Sequence, residues 1–154
     1  MEQWQLDGFI SHRSWVRFPS LLHKNMNKII KAPLFIILPR KTKADRKMII
    51  NLNNYRNWHY IINNQVKDYY KEAMREQLQG LKFNKKIILH FLLYRGSNRI
   101  TDRSNVLSIH EKFFCDALTF YKCIPDDNDE YIEETRYRTG GLDRENPRVE
   151  ITII

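Results

Sequence analysis

The residues best suited to chemistry lie between Thr101 and Glu130. Asp102 and Asn105 open a helical pattern, Lys112 and Asp116 follow along it, and the acidic pair Asp126 and Asp127 comes after it in a turn. Steps of seven and four residues are close to whole helical turns. Asn105, Lys112 and Asp116 are therefore expected on one face, with Asp102 just ahead of it. Carboxylates from the two ends of one helix, with a lysine between them, suit a divalent-cation site that acts on phosphate. An oxygen-rich donor set favours magnesium, or manganese, over zinc. The run Asp126-Asp127-Asn128-Asp129-Glu130 is dense for a chain of net charge +8, and either repels itself in solvent or holds a cation. Plainer readings stay open: an Asp before a helix is often a cap, and Lys112 with Asp116 has the spacing of a surface ion pair.

Several elements must position these groups. Val106, Leu107, Ile109, Phe113, Phe114, Ala117, Leu118 and Tyr121 recur at steps of three and four, which predicts a helix capped by Asp102 or Ser104 and ended by Pro125. Lys86 to Arg95 reads as a long strand delivering the chain to Asp102, apolar enough to be covered on both faces, with His90 a hydrogen-bonded core residue. Arg95, Arg99 and Arg103 then fall where they meet phosphates. After the acidic turn, Tyr131 to Tyr137 reads as a strand, Thr139-Gly140-Gly141 as a tight loop, and Val149 to Ile154 as a final strand.

Upstream, Leu34 to Leu38 and Met48 to Asn53 read as strands. Between them, Arg40, Lys41, Lys43, Arg46 and Lys47 make a basic connection, either a solvated loop or a contact to phosphate. Tyr55 to Leu81 reads as one long helix with Gly80 at its end. Asn51, Asn53 and Asn54 are candidates to cap it. Lys67, Lys71 and Arg75 lie four apart along one side, with Arg56 and His59 near its start. Such a stripe is either a backbone-binding face or the wet face of an amphipathic helix. His59 is a candidate proton carrier or a packed residue. The order β-β-α-β-α-β-β predicts an α+β fold, an α/β sandwich with two main helices on a mixed sheet.

A length of 154 residues, 42% hydrophobic and 12% aromatic, fits one globular domain with a sizeable core. With 26 Lys and Arg against 18 Asp and Glu, a polyanionic partner is expected. Cys115 and Cys123 would lie ~12 Å apart along one helix, too far for a disulfide. No Cys or His grouping has zinc spacing. These features, with no apolar run of membrane-spanning length and no signal peptide, lead us to expect a reduced, cytoplasmic protein without a membrane partner.

The segment from Asp102 to Asp127 resembles the RusA family of Holliday-junction resolvases, in particular its phage-borne members. That family's pattern is D-x-D-N, a helix with a Lys and D-A-L, then D-D. Here it stands as Asp102-Arg103-Ser104-Asn105, Lys112, Asp116-Ala117-Leu118 and Asp126-Asp127. The likeness extends from about Lys31 to the C-terminus and includes Asn53-Asn54-Tyr55-Arg56, a stretch phage members tend to share. It implies that the family's metal-binding catalytic carboxylate positions fall on Asp102, Ser104 and Asp127, that its helix lysine is Lys112, and that the protein is a homodimer acting on four-way DNA junctions. Ser104 departs from the pattern, and Glu111 and Asp116 are the candidate replacements. The stretch from Asn105 to Lys112 is also about one helical turn longer than in the shortest members.

The expectation is then a magnesium-dependent nuclease. Asp102, Asp127, Asp116 and Asp126 hold the metal, and Lys112 stabilises the transition state. Arg40, Lys41, Lys43, Arg56, Lys67, Lys71, Arg75, Arg99 and Arg103 bind DNA. Two other classes fit the same residues: a branched-DNA-binding protein with a decayed site at Ser104, and a nuclease for another branched or RNA substrate. Residues 1–25 look unlike the rest. Val16-Arg17-Phe18-Pro19 is what one frame of a transfer-RNA T-arm would encode, which suggests a native start at Met26. An authentic amphipathic arm, or a short helix from Pro19 to Ile30, is the other reading.

Overall fold

A computed structural model describes residues 27–154. The expected non-native extension at residues 1–25 lies outside them. The elements in chain order are β1 (Lys28–Pro33), β2 (Phe35–Leu38), β3 (Arg46–Ile49), α1 (Leu52–Asn57), α2 (Tyr60–Leu78), β4 (Ile87–Arg95), α3 (Arg103–Phe120), β5 (Ile132–Leu142) and β6 (Arg148–Ile153). Helices and a mixed sheet make this an α+β fold, as the periodicities lead one to expect. Four strands form the main sheet in the order β1-β6-β4-β5, and β2 pairs with β3 in a separate two-stranded ribbon. β4 runs parallel to β5, while β6 is antiparallel to both β1 and β4.

Alternation builds the core. Along β4, Ile87, Leu89, Phe91 and Leu93 are buried, while Ile88, His90, Leu92 and Tyr94 are only half-buried. β4 is thus internal to the sheet but covered fully on one face, not two. His90 is accordingly not a core residue, and its Nε2 has no hydrogen-bond partner among the described residues. On the covered face, Phe91 meets Phe114 of α3 edge-on, with ring centroids 6.0 Å apart. α2 turns Val66, Tyr70, Met74 and Leu78 inward, and the Tyr70 ring packs edge-on against Phe113 at 5.5 Å. The α2–α3 layer is tied to the sheet edge by Gln77. Its side-chain amide exchanges two hydrogen bonds of 2.8 Å with the backbone of Lys31 in β1, as a neighbouring strand would.

Four local expectations need correction. First, β1 exists and runs through Lys28–Ile30, which ends the reading of a helix from Pro19 to Ile30. Second, the stretch from Tyr55 to Leu81 is two helices. Trp58 is extended (φ −77°, ψ 138°), and His59 restarts the helix as an N-cap whose ring accepts from Ile61 N–H at 3.4 Å. His59 is therefore an exposed cap, not a packed residue. Asn51 caps α1 by accepting from Asn54 N–H at 2.7 Å. Third, α3 ends at Phe120, several residues before Pro125. Lys122 takes a left-handed φ of 57° there, with Cys123 N–H bonded to Leu118 O at 2.9 Å.

The fourth correction concerns Gly140 and Gly141, which lie inside β5 and not in a loop. A Cβ on Gly140 would sit 2.7 Å from the Tyr94 ring. The glycine is there to let that ring lie flat on the strand, opposite a register shift at Leu93/Tyr94. The turn falls later, where Asp143 accepts from Asn146 N–H at 3.0 Å and from Arg148 at 2.7 Å.

Candidate active site

α3 and the acidic turn converge on a cleft of about 400 Å³. Its walls are Ser108, Glu111, Lys112 and Cys115 of α3, Asp127 and Asp129 of the turn, and Ile132 to Thr135 at the start of β5. A second cavity of about 450 Å³ adjoins it, lined by Leu52, Asn53, Asp102, Ser104, Asn105 and Ser108. Ser108 belongs to both, so α3 presents one continuous polar stripe: Ser104, Ser108, Glu111 and Cys115, flanked by Asn105 and Lys112.

This stripe is offset from the one expected. Each residue turns a helix by about 100°, and the cleft is centred on Ser108, not on Asn105. Asp116 is thereby carried round towards α2, where its carboxylate meets Lys67 Nζ at 2.7 Å. Asp116 does not line the cleft, and Glu111, one of the two candidates for the missing carboxylate, does. The Tyr137 hydroxyl of β5 donates to Glu111 Oε2 and fixes that side chain against the sheet. Burial, and then the hydrogen bond to Glu111, raise the Tyr137 hydroxyl above its ordinary range, so it stays a donor.

The acidic turn sorts its own residues. Asp126 accepts from Asp127 N–H at 2.9 Å through one oxygen and from the Asn128 side chain at 3.0 Å through the other. Asn128 in turn accepts from Glu130 N–H at 2.9 Å. Asp126 is therefore spent on folding the turn and does not line the cleft. Asp127 and Asp129, the alternate positions, do. Glu134 also faces the cleft but is clamped by Arg136 through bonds of 2.6 and 2.7 Å, which hold its carboxyl below the usual range.

Asp102 has a local role as well. It is the N-cap of α3, accepting from Ser104 N–H at 3.0 Å and from Ser104 Oγ at 2.7 Å. The serine hydroxyl first, and its backbone N–H second, hold the Asp102 carboxyl below its ordinary range. Asp102 is ionised at neutral pH, yet it lines the cavity next to the one holding Asp127. The expected joint ligation of one ion by Asp102, Asp116, Asp126 and Asp127 is not the arrangement found. Among the described residues, no three His, Cys, Asp or Glu side chains converge as an all-protein cage. Magnesium does not require one, because it commonly takes one or two carboxylates plus waters and substrate phosphate. Glu111 and Asp127 fit that demand: both are hard oxygen donors on one cleft, with Glu111 already oriented.

Two further groups had no signal in the sequence. Cys115 lines the cleft, but burial, with Glu111, Asp127 and Asp116 adding to it, pushes its thiol up to about 12. It is inert as a nucleophile at neutral pH. His110 is fully buried between α2 and α3, with Nδ1 3.3 Å from the Tyr70 hydroxyl and Nε2 without a partner among the described residues. Burial lowers its pKa to about 3, so it is neutral and structural.

The basic residues divide in two. Lys67 is bound by Asp116, Lys71 pairs with Asp68 at 3.2 Å, and Arg75 pairs with Glu72 at 2.7 Å. The α2 stripe is thus neutralised by its own neighbours. Arg40, Lys41, Lys43, Arg56, Arg99 and Arg103 are exposed. Arg95 donates to the carbonyl of Arg99 at 3.2 Å and fixes the turn before α3.

No helix among the described residues is long and apolar enough to cross a membrane. No protein-family model matches the chain, and no curated protein matches it.

Proposed function

We propose that the chain is a divalent-cation-dependent endonuclease of branched DNA, acting in the manner of the RusA family it resembles. The observation that carries this reading is the pairing of Glu111 and Asp127 beside Lys112 in one acidic cleft, on a chain of net charge +8. A carboxylate pair alone would repel a phosphodiester. Holding a cation, the pair would become a binding site for one, and the surrounding positive charge would bring the polyanion in.

Magnesium held there with the scissile phosphate supplies Lewis-acid polarisation and a more acidic attacking water. The chain's own groups do the rest. Glu111 joins the cleft from α3 and Asp127 from the acidic turn. Tyr137 keeps Glu111 from swinging out to solvent. The Lys112 ammonium offsets the charge that develops on the phosphate oxygens. Asp102 caps α3 and so holds the N-terminal half of the stripe in place. Arg99 and Arg103, on the turn into α3, are placed to receive the flanking phosphates. Two copies related by a two-fold axis would present two clefts to a near-symmetric junction, which suits paired nicks. Two unpaired thiols suit a reducing compartment, and we place the protein in the cytoplasm.

The test is cleavage of an end-labelled synthetic four-way junction in magnesium by the wild type and Asp127→Asn. Symmetric paired nicks that fall by at least ~100-fold in the variant support the reading. A second reading, a junction-binding protein without turnover, is favoured by Asp102 and Ser104 bonding to each other in the place where the family carries two ligands. Tight junction binding with no nicks in either magnesium or manganese would move it to first place.

A further inference from the structure

The β2–β3 ribbon stands apart from the main sheet. Its connection, Pro39-Arg40-Lys41-Thr42-Lys43-Ala44-Asp45, is exposed throughout. From Pro39 to Lys47 it carries five cations and a single carboxylate, Asp45. Among the described residues none of these five cations makes an ion pair, in contrast to all three of the α2 stripe. The tip is also shaped. Arg40 Nε donates to the carbonyl of Ala44 at 2.7 Å and closes the loop, and Asp45 accepts from the backbone N–H of Arg40 at 3.4 Å.

The ribbon has two unlike faces. Ile36, Leu38 and Met48 are buried, whereas Ile37 and Ile49 are 44% and 50% exposed on the other side. On that outer face Lys47 Nζ lies 4.0 Å from the centre of the Phe35 ring. The ribbon is anchored to the site by its last strand. Ile50 N–H bonds to Leu34 O at 3.0 Å, and the Asn54 side chain donates to Ile49 O at 2.9 Å. One residue before Asn54, Asn53 lines the cavity that holds Asp102.

We propose that this ribbon, and not α2, is the element that grips the phosphodiester backbone of a DNA arm. Free cations on an ordered loop release counterions on binding, whereas cations already paired with Asp or Glu release few. A two-stranded ribbon is narrow enough to follow a DNA groove. The apolar outer face beside Lys47 suits sugar and base edges. A membrane surface fits less well, because a membrane-docking tip carries large apolar or aromatic side chains and the apolar residues from Pro39 to Asp45 are just Pro39 and Ala44. The ribbon's role rests on the DNA partner of the proposed function, but it does not require cleavage.

The test compares the wild type, the triple variant Lys41→Gln/Lys43→Gln/Arg46→Gln, and the double variant Lys71→Gln/Arg75→Gln. Binding of a fluorescently labelled four-way junction and of a plain duplex is followed by anisotropy across a salt series. Circular dichroism checks that each variant is folded. The triple variant is expected to bind at least tenfold more weakly. Its plot of log affinity against log salt is expected to be shallower by about 2 to 3, close to 0.9 for each phosphate no longer neutralised. The double variant is expected to keep the wild-type slope. A wild-type slope in the triple variant, or the weakening appearing in the double variant instead, overturns the proposal. So does ribbon-dependent binding to phosphatidylserine vesicles without any to DNA. Junction nicking together with wild-type affinity and salt slope in the triple variant removes only the ribbon's role. Ribbon-dependent binding without any nicking removes only the nuclease reading.

Discussion

At the residue scale the chemistry turns on which carboxylates are free. Asp102, Asp116 and Asp126 all have neighbours within hydrogen-bond or ion-pair reach, each supplied by the fold itself. The sequence offers them on equal terms with Asp127, because residue type and spacing do not reveal what a side chain will be bonded to. Lys67 lies in another helix, and only tertiary packing brings it to Asp116. Glu111 shows the reverse: it is one of two candidates for the missing ligand until Tyr137, 26 residues away in β5, reaches it.

Two further residues carry predictions of their own. Lys122 adopts a left-handed φ of 57°, which is strained by about 1 kcal/mol for a residue with a Cβ. It is exposed, so Lys122→Gly should stabilise the protein by about that amount. A rise of several degrees in thermal midpoint checks it, and a fall would mean the lysine makes an interaction that matters. His110 is neutral in the fold with a pKa near 3 against an ordinary 6.5. Below pH 6.5 the unfolded chain takes up a proton that the native state refuses. Stability is therefore unaffected above that pH and falls as pH drops from 6.5 towards 3. The slope from this group is about 1.4 kcal/mol per pH unit. Urea midpoints between pH 7 and pH 4.5 should drop more steeply for the wild type than for His110→Gln. Parallel lines would show that His110 is not the group responsible.

At the element scale, α3 and β6 were legible because each has a sustained period of its own, and β4 because its apolar run is long and nearly continuous. Val106 to Leu118 repeats at helical steps, and Val149, Ile151 and Ile153 alternate. The misjudged elements are those whose pattern is set from outside. β1 buries only Ile30 and Ala32, and it is a strand because β6 pairs with it along its whole length. The break at Trp58 and His59 interrupts a helical period that continues in phase on both sides, so the period alone does not announce it. Gly140 and Gly141 read as a turn, since a glycine pair is the usual turn signal. The partner that explains Gly140 is the Tyr94 ring on the adjacent strand. Gly140→Ala should then cost about 1 to 3 kcal/mol through that clash, measured by urea denaturation. The same substitution should cost less in a Tyr94→Ala background than in the wild type; an undiminished cost there would argue against the clash.

At the scale of the whole molecule, charge is separated. The α2 cations are matched by Asp116, Asp68 and Glu72, while among the described residues the cations of the ribbon and of the turn before α3 have no ion-pair partner. Carboxylates gather instead around the cleft, from α3, the acidic turn and β5. On the function proposed above, a molecule arranged this way would attract a polyanion broadly and admit a cation at one place. Total composition predicts the first property. The second depends on the β4–α3–β5 crossover, which brings the acidic turn back beside the middle of α3.

The most direct check of the central claim sets Glu111→Gln against Asp116→Asn in the same junction-cleavage assay. The two residues lie five apart on one helix, and only Glu111 lines the cleft. Glu111→Gln is predicted to lower magnesium-dependent nicking by at least ~100-fold while still binding the junction. Asp116→Asn should stay within about threefold of wild type, since it removes only a partly exposed ion pair. Inactivation by Asp116→Asn with Glu111→Gln still active would place the reaction elsewhere and contradict the assignment of Glu111 to the metal.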